Sequence, residues 1–82
     1  MTDDELTPNL AALGRAVRAI RDERGINQVE LAAKTSFTQA WISHVERGKR
    51  NPSWNNIVRL AAGLGVGVAE LAARAEMLVT RT

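Results

Sequence analysis

The chain has 82 residues, no cysteine and a formal net charge of +2, which bounds it to one domain with a modest core and excludes disulfides, cysteine metal sites and thiol nucleophiles. Hydrophobic residues make up 45% of the chain but aromatics only 4%, so Ala, Leu, Val and Ile must build the core, a helix-bundle palette. The charge is uneven: residues 1–5 hold three of the nine acids and no base, leaving eleven bases against six acids in the remainder, a balance that suits a polyanionic partner.

Thr7-Pro8 reads as the start of a first helix over about 8–24, with Thr7 as cap and Pro8 where a missing N–H costs nothing. Residues 1–6 then form a flexible acidic segment, and 7–80 a single domain. Leu10, Leu13, Val17 and Ile20 recur at three- and four-residue steps as one apolar stripe, and Gly25 ends the helix. Asn27 and Glu30 have capping-box spacing before a short second helix, 28–35, whose inward residues are Leu31 and Ala32. Thr38 caps a third helix, 39–47, which stops at Gly48. So tight a turn between two short helices defines a helix-turn-helix unit. Asn51-Pro52 breaks the chain, Ser53 caps a fourth helix over 54–64, and Gly65 ends it. A fifth helix over 68–79 carries Leu71, Ala72, Ala75, Leu78 and Val79 and frays near Thr80. The fold class is all-α, with five helices.

Each helical residue turns about 100°, which puts Ile42, Val45 and Thr38 on the inner side of the third helix. The opposite side carries Ala40, Ser43, His44 and Arg47, with Gln39 at its N-terminal edge. A face kept only for solubility would hold more Glu and Lys. Gln, Ser, His and a small apolar residue reach base edges in a major groove. Arg47, Lys49 and Arg50 follow at the C-terminal end, where they either satisfy the helix dipole or hold a phosphate backbone. Gln28 sets an amide beside the free N–H groups that open the second helix, which also suits phosphate.

Three segments together resemble the lambda-repressor/Cro type (XRE family) of helix-turn-helix regulators: Gln28-Val29-Glu30-Leu31-Ala32, then Ile42 through Pro52, then Leu60-Ala61-Ala62-Gly63-Leu64-Gly65-Val66. The match runs from about Leu10 to Leu71. The resemblance implies a five-helix lambda-repressor-like domain with the third helix in the major groove and the second across the backbone. It also implies a partly buried structural pair between Arg21 and Glu46. Two residues depart from the family pattern. Ser36 stands where relatives place Gly, at a cost of order 1 kcal/mol for a strained or left-handed backbone. Ala40 stands where many place a longer polar reader, which makes the base code shorter or dependent on a thymine methyl.

On this reading Gln39, Ala40, Ser43 and His44 contact bases, each against a plain alternative as a helix-surface residue. Gln28, Trp41, Arg47, Lys49, Arg50 and Asn51 contact phosphates. Trp54 is either core or a cap over the third and fourth helices, and Arg15, Arg18 and Arg24 are ordinary surface. Leu71, Met77, Leu78 and Val79 either close the core or form a dimer face. A two-fold dimer reads half-sites about 34 Å apart.

The partner is therefore double-stranded DNA, and the chain acts as a homodimeric repressor or restriction–modification controller. An antitoxin or protein-interaction module on the same fold is the second hypothesis. No paired carboxylates or nucleophile–base set suggests an enzyme. Gly63-Leu64-Gly65-Val66-Gly67 follows a helix and lacks the Lys-Ser or Lys-Thr of a phosphate loop. A lone His makes a zinc site unsupported, and neither cofactor nor small-molecule ligand is expected. No apolar run reaches the roughly 20 residues that span a bilayer. With the acidic start at Met1, this gives a cytoplasmic expectation.

Overall fold

A computed structural model describes the backbone of residues 3–79 and the side chains of residues 9–79. Five helices follow one another: α1 Asp3–Glu23, α2 Gln28–Thr35, α3 Gln39–Glu46, α4 Trp54–Leu64 and α5 Val68–Leu78. Local chemistry fixes most of their ends. At α2 the Glu30 amide donates to Asn27 Oδ1 at 2.8 Å, and the Asn27 amide donates to Glu30 Oε1 at 3.2 Å, a reciprocal cap. Thr38 and Ser53 accept from the amides of Trp41 and Asn56 in the same role.

The exit from α1 is closed by amides of Gly25 and Ile26 that donate back to Asp22 and Arg21. The exit from α4 repeats this with Gly65 and Val66 on Ala62 and Ala61. Both turns use a glycine with positive φ, 68° and 78°, a backbone state that a Cβ disfavours.

The start of α1 differs from the sequence reading. The helix begins at Asp3 rather than Pro8, so Thr7 is not its cap and Pro8 lies in its second turn. Asp3, Asp4 and Glu5 are the residue types that favour the positive end of a helix dipole, and that preference outweighs the local Thr-Pro signal. The segment 1–6 is thus helical from residue 3 onward. Its first two residues, and Thr80 at the domain's far end, lie outside the described residues. α3 and α5 each end one residue earlier than the pattern suggests.

α1 is the spine, packing against α3, α4 and α5, while α2 packs against α3 and α4. The core contains Val17, Ile20, Leu31, Ile42, Val45, Leu60, Leu64 and Leu71. On α1 the buried face centres on Ala12, Ala16, Val17 and Ile20, whereas Leu10 and Leu13 are only half-buried. Leu13 faces an open groove between α1, α4 and α5. Where α1 meets α3 the backbones touch, and a Cβ on Gly14 would collide with the carbonyls of Val45 and Glu46. Small residues let α3 ride directly on α1.

α4 and α5 meet at 98°, and surface contacts tie α5 to the spine. Arg74 donates to both carboxylate oxygens of Glu23, at 2.6 and 3.1 Å. Arg15 donates to the Leu78 carbonyl at 3.0 Å, capping the end of α5. Arg15 is thus more than the ordinary surface residue its sequence context suggests. No single described helix is long and apolar enough to cross a membrane.

Two outcomes test this packing. Gly14→Ala drives a methyl group into two carbonyls and should destabilise the fold by about 2 kcal/mol or more, read by urea denaturation. The hydrogen bond from Arg74 lowers the Glu23 pKa from its ordinary 4.5. A depressed carboxylate stabilises the fold above that ordinary value and loses its effect as pH falls through the lowered one. Arg74→Gln should therefore be less stable than the parent at neutral pH, with the gap closing in acid. A gap of constant size down to strongly acid pH would show that the clasp contributes nothing.

Candidate nucleic-acid interface

α2 and α3 form a helix-turn-helix unit joined through residues 36–38. The inner side of α3 is anchored by Ile42, fully buried, and Val45. Thr38, grouped with them by helical angle, is exposed and serves as the cap. Gln39 and Ala40 are exposed at the N-terminal end, Ser43 and His44 are half-exposed in the middle, and Arg47 is exposed at the C-terminal end. All five lie on or beside the face turned away from the core. His44 Nδ1 lies 3.4 Å from an Arg47 Nη2, so the two form one polar group one helical turn apart.

Beyond α3 the backbone turns at Gly48, φ 72°. The amides of Gly48 and Lys49 close the helix on Val45 and His44. A Cβ on Gly48 would lie 3.1 Å from the Ala11 Cα, so this turn also rests on α1. It lifts Lys49, Arg50 and Asn51 into solvent. Arg47, Lys49 and Arg50 make three cationic side chains in four residues, a density suited to a phosphate backbone.

Behind the face lies an ion pair. Arg21 Nε donates to Glu46 Oε2 at 2.7 Å and its Nη2 to Oε1 at 3.1 Å. The side chains are 11% and 4% exposed. A third guanidinium nitrogen, Nη1, donates to the Ile26 carbonyl at 3.0 Å, so the fork is anchored at both ends. Hydrogen bonding to Glu46 raises the Arg21 pKa above its ordinary value against the opposing cost of burial. Gln28 joins this pair by donating from Nε2 to Glu46 Oε1 at 3.1 Å. Its amide therefore points inward at the pair rather than standing free, and one amide hydrogen remains for another acceptor.

Trp41 is half-buried, its ring stacked on Phe37 at 4.2 Å between centroids. Trp54 is 66% exposed, so it is neither core nor a closely packed cap over α3 and α4. Leu71, considered for a dimer face, is fully enclosed within the protomer, because the bend between α4 and α5 turns it onto the core. Met77 is 81% exposed, while Leu78 and Val79 are half-buried. Leu13, Ile57, Val68, Ala72, Ala75 and Val79 line an apolar groove of about 280 Å³ between α1, α4 and α5. Among the described residues no cluster of three or more His, Cys, Asp or Glu could hold a metal ion.

Sequence reasoning missed Phe37 and Arg59. Phe37 is the apolar residue just before an N-cap, the place from which a hydrophobic staple reaches into a helix, so its packing on α3 left a trace. Arg59 left none.

A model of the helix-turn-helix domain matches residues 12–73. The chain is 39% identical over 59 residues to an uncharacterised HTH-type transcriptional regulator of Sinorhizobium fredii, covering 72% of this chain and 77% of that one. It is 37% identical over 68 residues to the control protein C.BamHI of Bacillus amyloliquefaciens, covering 80% and 84%. The restriction–modification controller protein C.Esp1396I, solved as a tetramer with its natural 35 base-pair operator, superposes with a TM-score of 0.81. That match has 25% identity and covers 89% of this chain and 96% of that one. The chain belongs to the helix-turn-helix domain family, and within it to the XRE-type regulators of transcription.

A double-mutant cycle tests the buried pair. Arg21→Met or Glu46→Gln alone should cost about 3 kcal/mol in unfolding free energy, since each strands a partner away from water. The double variant should cost clearly less than the two losses added. Strict additivity would mean that the two groups do not stabilise each other.

Proposed function

We propose that this regulator binds double-stranded DNA as a homodimer, with α3 in the major groove and α2 across the backbone. Gln39, Ala40, Ser43 and His44 face base edges, where Gln39 can pair with adenine through two hydrogen bonds. Gln28, Trp41, Arg47, Lys49, Arg50 and Asn51 meet phosphates. The observation that carries this reading is the division of α3. One side is locked onto α1 through bare backbone contact, and the other presents short polar side chains that end in a cationic turn.

The likeness to C.BamHI and C.Esp1396I supports a controller or repressor role, and the operator-bound C.Esp1396I tetramer supports DNA as partner and self-association. The chain acts by binding rather than by catalysis, in the cytoplasm at the nucleoid. Met77, Leu78 and Val79, together with the groove that Val79 and Trp54 line, form the face for a second copy. Two copies joined there bring two α3 helices to half-sites about 34 Å apart.

Selection of bound genomic fragments at two salt concentrations tests the proposal. A two-fold motif should emerge, with affinity falling as a power of salt concentration as counterions are released. Gln39→Ala should relax one base position by about 1–3 kcal/mol. Lys49→Ala should weaken all sequences alike and reduce the salt slope by about 1. A pool without any motif, bound only weakly at physiological salt, would sink the reading in favour of a protein partner.

A further inference from the structure

We infer that Arg59, on α4 and outside the helix-turn-helix unit, is a positioning residue: it closes the end of α2 and holds the turn that aims α3. Its bearing on DNA rests on the proposed role of α3; its hold on the turn does not.

The turn after α2 is built unlike the others. α1, α3 and α4 each end in a glycine with positive φ, and each is closed by a pair of backbone amides reaching back into the last turn. After α2 stands Ser36, φ 64° and ψ 18°, the one non-glycine residue with positive φ among those described. Its Cβ makes that conformation costly. Among the described residues no such pair of backbone amides closes α2. The groups that would have closed it are served by side chains. Thr35 Oγ1 lies 2.8 Å from the Leu31 carbonyl oxygen and 3.2 Å from that of Ala32, and its hydroxyl donates toward both. The same oxygen accepts from the Phe37 amide at 3.4 Å. The Thr35 carbonyl, the last of α2, accepts from Arg59 Nη2.

The same guanidinium lies 4.2 Å over the Phe37 ring, and Phe37 stacks on Trp41 in the first turn of α3. Arg59, Phe37 and Trp41 thus form a continuous ladder from α4 to the start of α3, running alongside a strained turn that lacks its own backbone closure. α4 stands at a fixed distance from that turn, because a Cβ on Gly63 would lie only 2.5 Å from Thr35 Cγ2. A planar guanidinium donates in its plane and stacks on its face at once; an ammonium cannot do both.

Four variants separate the possibilities: Arg59→Gln, Arg59→Lys, Ser36→Gly, and Ser36→Gly combined with Arg59→Gln. Amide exchange of Phe37, Trp41 and Ile42 is followed without DNA, against Val17 and Leu64 as core references. Operator affinity is followed across salt concentrations. Both Arg59 variants should lose about tenfold in affinity, the worth of one charged hydrogen bond, with an unchanged salt slope. Protection should fall by a similar factor at residues 37, 41 and 42 only. Ser36→Gly, which frees the left-handed turn of its Cβ, should restore most of both losses.

Three results would overturn the inference: a salt slope reduced by about 1 with affinity kept by Arg59→Lys, which marks a phosphate contact; a uniform loss of protection, which marks general destabilisation; or no change. Local loss of protection with affinity intact, alongside a silent Gln39→Ala, upholds Arg59's hold on the turn and overturns the assignment of α3.

Discussion

The fold turns on a contact between backbones, where the carbonyls of Val45 and Glu46 rest against the bare Cα of Gly14. Most of what surrounds the polar face depends on it. Once the end of α3 lies on α1, Glu46 comes within reach of Arg21, one bond holds the Arg21 fork to Ile26, and another draws in Gln28 from the start of α2. The crossing, the ion pair and the second helix are therefore one construction. A buried ion pair is a weak source of net stability because desolvation offsets its attraction. Its use here is directional: a forked donor accepts only a narrow range of positions for the helix that carries Glu46. α3 is held at its C-terminal end by α1 and at its N-terminal end by the Phe37 stack, leaving its outer side free of structural duty.

The polar contacts of α5 belong to a different regime. Arg74 with Glu23, and Arg15 with the Leu78 carbonyl, lie at the surface, where water and salt screen them. They fasten the last helix without dictating it; Leu71, enclosed in the core, does that. The polar face of α3 is thus carried on the α1–α3 seam, while apolar packing on α1 seats α5. Binding faces on many proteins follow this plan, with variable side chains carried on a scaffold that cannot shift beneath them.

Helix ends with their own capping chemistry were legible in the sequence. Asn27 with Glu30, and Ser53 with Gly65, mark α2 and α4 to the residue. The start of α1 was misread because Thr7-Pro8 is a local signal and the dipole preference of three acids acts over a whole turn. The buried face of α1 was displaced toward Leu10 and Leu13 because periodicity gives weight to large side chains, whereas that face is built on Ala12, Ala16, Val17 and Ile20 and the crossing with α3 on Gly14. Outward positions on α3 followed from helical angle alone. Arg21 and Glu46 did not follow from spacing; only the family resemblance paired them. Arg15, Arg59 and Arg74 act on partners 63, 24 and 51 residues away, and nothing near them in sequence points there. The exposure of Trp54 and the burial of Leu71 both stem from the angle between α4 and α5, a tertiary quantity.

The core holds no aromatic ring. Phe37 and Trp41 sit at the α2–α3 turn, and Trp54 stands at the rim of the groove. With no tyrosine in the chain, ultraviolet emission comes from two indoles, neither of them enclosed in the core. One lies beneath the polar face of α3, stacked and half-shielded; the other stands in water beside α5. Light from this protein therefore comes from one indole packed against the edge of the core and one in water, and a collisional quencher tells them apart by access alone.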